Sequence, residues 1–319
     1  MKKRIIILTL CLAGALTAPA LALTATTAEV ENAAPIAEDL TLTTYKGVAI
    51  ASRFAAVDPE GDLVTFQVVD SPARGQVVMD ETDPAAFTYT PYEGKKGKDS
   101  FTYVAIDDKG NTSKPAKVKV VIQKQTTAVT YSDMSGSTAH YAALHLAEAG
   151  VYTGRKVGSL YCFDPDSTFT REEFLAMAMT AAGKAPLSDV TLTGFYDDGD
   201  ISAWAKGYVS AALVVGTVEG SRNGAGQTVF APDSAVTQAE AAVIIDRLLA
   251  TGDVAISSAV FSAETAPAWA YQSVVNMEAV SVLRSSTDLD KPLTRAQGAE
   301  MLSAMLDVLD SRQSGGWFK

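Results

Sequence analysis

The chain has 319 residues, of which 47% are apolar, and its formal net charge is −11. This length is enough for two or three domains, and the apolar fraction supports packed cores, so an intrinsically disordered chain is excluded. The acidic balance argues against nucleic acid and anionic membranes as broad partners, because the chain repels polyanions at long range.

Residues 1–22 are predicted to be a secretory signal peptide. The segment has a basic start, an apolar run over residues 5–16 and a small-x-small sequence, Ala-Leu-Ala, at 20–22. The apolar run is too short for a comfortable membrane span. Cleavage near Leu23 leaves 23 basic and 37 acidic residues, a net charge of −14, and Cys162 as the single cysteine. The mature chain therefore has no intrachain disulfide and depends on packing alone.

Residues 33–122 are predicted to form an all-β sandwich. Short segments rich in β-branched and aromatic residues alternate with turn residues such as Asp-Pro-Glu-Gly-Asp at 58–62, which is typical of this fold class. The predicted strands are 63–69, 75–79, 86–90, 100–106 and 116–122.

The segments "AAVDPEGDLVTFQVV" and "FTYTPYEGKKGKDSFTYVAIDDKG" resemble the bacterial cadherin-like, tandem-repeat surface domains. This resemblance implies an immunoglobulin-like sandwich that serves as a spacer or an adhesive module. Some members of that class bind calcium between acidic loops, and hard cations prefer carboxylate oxygens. The candidate ligands here are Asp58, Glu60, Asp62 and Asp107. The alternative is that these residues only form turns.

Residues 123–130 are polar and are predicted to be a linker, after which the pattern becomes helical. One phrase then occurs three times, as "FTREEF" at 169–174, "VTQAEA" at 236–241 and "LTRAQG" at 293–298. Each copy contains the capping-box pattern S/T-x-x-E/Q, which begins a helix. The pairs are Thr170 with Glu173, Thr237 with Glu240, and Thr294 with Gln297.

Each phrase is followed by an apolar stripe at helical spacing, apart from Gly298 in the third copy, so each is predicted to begin an amphipathic helix. A second helix is predicted upstream in each unit, at 140–151, 203–214 and 268–280, with Tyr141, Trp204 and Trp269 in register. The predicted repeats are 131–183, 195–250 and 256–310. One helix–loop–helix unit cannot bury both of its faces, so the three are expected to pack together.

The order aromatic-x-Asp, Trp-Ala, Gly, Phe-x-Pro and Thr-Arg-Ala-Glu, repeated three times, resembles the S-layer homology (SLH) domain. This resemblance implies an all-α bundle with pseudo-threefold symmetry and grooves between adjacent units. It also implies noncovalent anchoring of an exported protein to the cell wall. The expected ligand is secondary cell-wall polysaccharide, often carrying a pyruvyl ketal, or a peptidoglycan-linked polymer.

Capping does not explain Arg171 and Arg295, which follow the capping threonines. A basic residue is slightly unfavourable at a helix start, where free N–H groups and the helix dipole favour anions. Free N–H groups together with a guanidinium would bind a carboxylate-bearing glycan. The middle copy has Gln238 at this position, so we expect it to keep the helix start and to lack the anion contact.

Two further sets of residues have open interpretations. The rings of Tyr141, Trp204 and Trp269 provide either a sugar-stacking surface or core anchors. Asp133 and Asp197 either accept hydrogen bonds from sugar hydroxyls or cap the first turn of a unit. The third unit has Ala263 in place of the aspartate, so we expect no more than two functional grooves.

No catalytic constellation is found in the sequence, so no enzyme activity is expected. The sequence predicts an exported cell-surface protein anchored to wall glycan, with the β domain as a spacer or interaction module. It predicts no cofactor, apart from the calcium hypothesis. The alternative function is an adhesin or assembly module, whose β domain binds a protein or calcium while the helical repeats only anchor it.

Overall fold

The computed structural model describes residues 32–253, 266–283 and 289–313. The predicted signal peptide and the start of the predicted third repeat, including Ala263, lie outside the described residues. No helix in the described ranges is both long enough and apolar enough to cross a membrane.

The N-terminal region is an all-β sandwich, as predicted. Its larger sheet has the strand order β2-β9-β8-β5, with β2 parallel to β9, and its smaller sheet has the order β3-β7-β6. A short pair, β1 with β4, completes it. The strands are β1 (Ile36–Ala37), β2 (Leu40–Tyr45), β3 (Ile50–Arg53), β4 (Ala56–Val57), β5 (Thr65–Asp70), β6 (Gly75–Met79), β7 (Ala86–Pro91), β8 (Gly97–Ile106) and β9 (Ala116–Gln123).

Strand alternation builds the core of the sandwich. In β9, Val118 and Val120 are buried while Lys117 and Lys119 are exposed, so one face of the larger sheet packs inward and the other meets solvent. Phe54 stacks on rings from both sheets, with centroid distances of 4.2 Å to Phe87 and 4.2 Å to Tyr103. These aromatic contacts join the two sheets.

In the described part of the C-terminal region there are, besides a 3-10 helix at Thr251–Asp253, six α-helices and two short hairpins. In chain order these are α1 (His140–Glu148), β10 (Arg155–Val157), β11 (Leu160–Cys162), α2 (Arg171–Ala181), α3 (Lys206–Val214), β12 (Ser221–Arg222), β13 (Thr228–Val229), α4 (Gln238–Leu249), α5 (Tyr271–Ala279) and α6 (Arg295–Gln313). The second helices of the three units, α2, α4 and α6, contact one another. Each first helix packs on the second helix of another unit: α1 on α6, α3 on α2 and α5 on α4. The units are thus interleaved.

The capping boxes form as predicted. Thr170 and Thr237 are N-caps whose side chains accept from the N–H of Glu173 and Glu240, and each glutamate bonds back to the threonine N–H. In the third unit, Thr294 and Gln297 make the same reciprocal pair, at 3.0 and 3.2 Å. The repeated threonine and its partner therefore begin all three second helices.

The predicted linker is held against the first helical unit. The carboxylate of Glu148 accepts hydrogen bonds from the backbone N–H groups of Thr126 at 2.9 Å and Thr127 at 2.7 Å. Nearby, the ring of Tyr45 at the end of β2 stacks on Tyr141 of α1, with 5.6 Å between centroids. The β-sandwich and the helical region therefore share a packed contact.

Candidate functional site at the junctions between helical units

The start of each second helix bonds to a loop of another unit. The N–H of Arg171 donates to the carbonyl of Ser234 at 2.8 Å, that of Gln238 to Lys291 at 3.3 Å, and that of Arg295 to Ser167 at 2.6 Å. The next N–H in each helix does the same, as in Glu172 to Pro232 at 3.2 Å. Unit one thus binds unit two, unit two binds unit three, and unit three binds unit one, which closes a ring of three junctions.

This ring corrects the expectation that the helix starts offer free N–H groups to an anion. The first two N–H groups of each second helix bond to the neighbouring loop, and the third bonds to the capping threonine. A helix start satisfied in this way presents no free donors to a ligand. The helix termini hold the units together instead.

Arg171 lies inside the junction between units one and two. Its side chain is only 16% exposed, and its Nη1 donates to Oε1 of Glu240 at 2.6 Å. Its guanidinium also lies over the ring of Phe230, 5.5 Å from the centroid. Glu240 is the capping-box residue of α4, so Arg171 joins the start of one second helix to the start of the next.

Arg295 occupies the matching position between units three and one. Its side chain is 18% exposed, with Nη1 3.8 Å from Oδ2 of Asp164, and its guanidinium lies 5.3 Å from the centroid of Phe169. In the middle copy, the Gln238 side chain is buried, and backbone bonds join the two units, from the N–H of Gln238 to Lys291 and from that of Ala239 to Leu289. Both arginines therefore pack against the neighbouring unit. This packing accounts for an arginine at the helix start, which capping alone did not explain.

The three aromatic residues are not in register, contrary to the sequence prediction. The first helices α1, α3 and α5 each have nine residues, and their N-caps are Ala139, Ala205 and Ala270. The residue just before each N-cap is therefore Thr138, Trp204 or Trp269. Tyr141 lies inside α1, and its equivalent in α3 is Gly207.

Tyr141 is a core residue and not a sugar platform, since it is 9% exposed and stacks on Tyr45. Trp204 and Trp269 behave differently, with 53% and 61% of their surface exposed. Exposed tryptophans at equivalent turns of two repeats are not required by core packing.

A buried glutamate holds the turn of Trp204 beside the start of α2. Ser202 donates to the carboxylate of Glu172 through its N–H at 3.0 Å and its hydroxyl at 2.6 Å. Because Ser202 is two residues before Trp204 and Glu172 follows Arg171, the turn that carries Trp204 lies beside the first junction. This contact gave no signal in the sequence, since it depends on packing between α2 and α3.

Asp133 and Asp197 are partly buried, and their carboxylates accept hydrogen bonds from a later loop of the same unit instead of capping their own turns. Asp197 accepts from the N–H of Phe230 at 2.8 Å and of Ala231 at 2.7 Å. Asp133 accepts from Phe163 at 3.0 Å and Asp164 at 2.7 Å. Burial opposes ionisation of Asp133, but these N–H donors hold its pKa below the usual value. These carboxylates fix the two Phe-x-Pro loops, 163–165 and 230–232, which enter the junction of units three and one and that of units one and two.

Asp198, which follows Asp197 in the same turn, forms a separate ion pair. We expect this pair to make the stability of the fold sensitive to acid. The carboxylate of Asp198 accepts hydrogen bonds from Nζ of Lys206 at 2.5 Å and from the N–H of Thr193 at 2.7 Å. These two donors lower the pKa of Asp198 from 3.8 to about 2. A carboxylate with a depressed folded-state pKa stabilises the fold above its unfolded pKa, and this contribution is lost as pH falls from about 4 to about 2.

We therefore expect the Tm of the wild type to fall more steeply between pH 4 and pH 2 than that of Asp198→Asn. Circular dichroism melts across this range measure it. Asp200→Asn removes an exposed carboxylate of the same turn and should follow the wild-type curve. Parallel curves for the wild type and Asp198→Asn would contradict the assignment.

Asp133, Cys162 and Asp164 form the one group of three potential metal ligands within 4.8 Å of one another in the described ranges. Hydrogen bonds from the thiol to Asp133 and Asp164 raise the pKa of Cys162 to about 11, so the thiol stays protonated. Arg155 and Arg295 lie 3.9 and 3.8 Å from Asp164, and their charge opposes a cation. This cluster is therefore a hydrogen-bonded part of the loop.

The four residues of the calcium hypothesis do not converge into one such group. Asp58 accepts from the N–H groups of Glu60 and Asp62, each at 3.0 Å, and Asp107 accepts from those of Lys109 and Asn111, at 2.9 and 2.8 Å. These bonds match the alternative in which the acidic residues form turns.

Comparison with known proteins identifies the β-sandwich. Residues 32–121 match the family described as "Bacterial Ig domain". The N-terminal region is thus a bacterial immunoglobulin-like domain.

Among characterised proteins, the chain is similar to an amylopullulanase of Thermoanaerobacterium thermosulfurigenes, with 34% identity over 132 residues, 40% of this chain and 7% of that protein. It is also similar to exoglucanase XynX of Acetivibrio thermocellus, with 40% identity over 88 residues, 27% of this chain and 8% of that protein. The matched part is less than a tenth of the length of either relative.

Similar solved structures include an endo-fucoidan hydrolase of glycoside hydrolase family 107, at 22% identity and a TM-score of 0.24, covering 30% of this chain and 14% of that one. Another is the sialic acid binding region of a Streptococcus sanguinis adhesin, at 17% identity and a TM-score of 0.23, covering 52% and 42%. At these scores the likeness carries no argument about function.

Proposed function

We propose that the chain is an exported surface protein without catalytic activity, held noncovalently on the cell wall by its three helical units. In this proposal the units are SLH repeats, and their ligand is an acidic wall polysaccharide. The observation that carries the proposal is the pair of exposed tryptophans at equivalent turns of units two and three. Exposed indole rings stack on the apolar faces of sugar rings.

The interleaved packing supports the same proposal. Each groove between units would be bordered by the start of one second helix and by the turn of an adjacent first helix. In the first groove, the bond of Ser202 to Glu172 would hold the turn of Trp204 beside the start of α2, where Arg171 pairs with Glu240. The arginines hold the groove walls together, so the tryptophans are the residues whose removal tests binding without disturbing the fold.

The bacterial Ig-like domain would serve as a spacer with a fixed position on the anchor. The stacking of Tyr45 on Tyr141 and the hydrogen bonds of Glu148 to the linker support this role. Both contacts restrict motion between the domain and the helices.

Trp204→Ala combined with Trp269→Ala is expected to weaken binding of the full chain to purified wall sacculi about thirtyfold. Each ring contributes about 1 kcal/mol of stacking, and about 1.4 kcal/mol corresponds to tenfold. Co-sedimentation at varied sacculus concentration measures the affinity, with circular dichroism as the test of folding. Sacculi stripped of acidic ketal groups test whether the ligand is anionic.

Tyr92→Ala is the matched control, because it removes an exposed aromatic ring from the β domain and leaves the helical units unchanged. It should bind sacculi like the wild type. Equal retention of the tryptophan variant and the wild type would refute the proposed anchor site.

A further inference from the structure

The outward face of the larger β-sheet carries an open groove of about 580 Å³ on the bacterial Ig-like domain. Its lining is basic, since Arg74, Lys98, Lys117 and Lys119 are accompanied by a single acidic residue, Asp99. This concentration of positive charge contrasts with the net charge of −11 for the whole chain. The groove is therefore an isolated basic surface on an acidic protein.

Hydrogen bonds within the domain occupy the carboxylate of Asp99. Its carboxylate accepts from the N–H groups of Ala73 at 3.0 Å and Arg74 at 2.8 Å, and from the Tyr89 hydroxyl at 2.8 Å. By contrast, none of the three lysines forms an ion pair within the described ranges. Three ammonium groups thus face the groove without a carboxylate partner.

The register of the sheet places the three lysines in three successive rows of its outward face. Lys119 lies between Thr41 of β2 and Ser100 of β8. Lys117 lies opposite Thr102, whose hydroxyl donates to the carboxylate of Asp70 at 2.7 Å. Lys98 is in the next row, opposite Val121. Rows on one face are about 6.6 Å apart, because each residue advances a strand by about 3.3 Å. Each row therefore carries one cation, and the Lys119 row also carries the hydroxyls of Thr41 and Ser100.

We propose that this groove binds a carboxylate-bearing polysaccharide. A uronate polymer presents one carboxylate and several hydroxyls per residue, which complements three rows of ammonium groups with two hydroxyls beside the central lysine. No aromatic ring lines the groove, so it lacks the stacking surface typical of single-stranded nucleic acid sites. The site is separate from the helical junctions and would give the protein a second contact with acidic glycan.

The test measures binding of the full chain to polygalacturonate by isothermal titration calorimetry at low salt. We expect the triple variant K98Q/K117Q/K119Q to bind about a hundredfold more weakly, or about fivefold per lysine, which corresponds to about 1 kcal/mol for each cation at an anionic surface. Raising the salt concentration should weaken the wild type more than the variant, because screening acts on exposed charges.

The matched control is K46Q/K114Q/K184Q, which removes the same charge from exposed lysines outside the groove. It should bind polygalacturonate like the wild type, and dextran should not bind. The proposal is overturned if the groove variant binds like the wild type or if the control loses as much affinity. Absence of wild-type binding, equal binding of dextran, or tighter binding of polyphosphate at equal charge would overturn it as well.

This inference is separable from the proposed wall anchor. The tryptophan double variant should retain the lysine-dependent binding of polygalacturonate, while the lysine triple variant should retain the tryptophan-dependent binding of sacculi. Loss of one activity with survival of the other identifies which assignment has failed.

Discussion

Phe169→Ala is expected to lower the free energy of unfolding of the helical region by about 4 kcal/mol, because truncation of a buried phenylalanine leaves a cavity at a crowded site. Phe169 is fully buried and contacts all three units. Its ring packs edge-on against Tyr152 of unit one, with 5.4 Å between centroids, and the guanidinium of Arg295 from unit three lies over it. The carbonyl of Phe169 accepts a hydrogen bond from the N–H of Val236 in unit two. Chemical denaturation of the variant and the wild type measures the loss.

Phe169→Leu is the informative control, because it keeps most of the apolar volume and should cost less than half as much. The same ring explains the glycine that interrupts the third apolar stripe. A Cβ built on Gly298 would lie 3.0 Å from the Phe169 ring, so the ring occupies the space of a side chain there. If Phe169→Ala leaves the unfolding midpoint unchanged, the three junctions between units do not depend on this residue.

Asp197→Ala is expected to destabilise the fold by about 3 kcal/mol. The substitution removes a charged acceptor from two loop N–H groups, those of Phe230 and Ala231, and an unpaired donor in a partly buried loop adds its own cost. Ala231 also has a positive φ of 56°, which a non-glycine residue adopts only when its surroundings hold it there. The loop carries Phe230 under Arg171, so the first junction should loosen as well.

Unfolding by denaturant, compared between Asp197→Ala and Asp200→Ala, measures this loss of stability. The two variants have the same net charge, because each lacks one carboxylate. Asp200 is exposed in the same turn, and its removal should change stability by less than about 0.5 kcal/mol. Asp197→Asn keeps one acceptor oxygen and should give an intermediate loss. Equal stability of the two alanine variants would mean that the loop holds its position without the carboxylate.

Local patterns in the chain were sufficient to predict its two kinds of structure. Strand alternation over 63–122 predicted the sandwich, because one buried and one exposed face leaves a period of two in the sequence. The three Thr-x-x-Glu/Gln phrases predicted the starts of α2, α4 and α6, because a capping box uses only contacts between residues three apart. The strands before residue 58 were not predicted individually; β1 and β4 have only two residues each, too few to show a period of two.

The register of the three units needed the structure. Tyr141, Trp204 and Trp269 precede similar apolar runs, so the sequence aligned them. The helix N-caps show that Tyr141 lies inside α1, where the adjoining β domain covers it, while both tryptophans lie in turns and are exposed. The alignment failed because it matched aromatic residues by type, and the burial of Tyr141 left no local signature because its partner Tyr45 lies in the other domain.

The sequence by itself determined that the chain has a β-rich half, a threefold helical repeat and helices that begin at the repeated threonines, because these features rest on residues close together in the chain. Only the tertiary structure decided what the arginines contact, because their partners are as much as 132 residues away. It likewise paired the helix N–H groups with neighbouring loops and aligned the lysines of three strand rows into one groove. Local periodicity predicts elements, whereas the partner of a charge depends on how those elements pack.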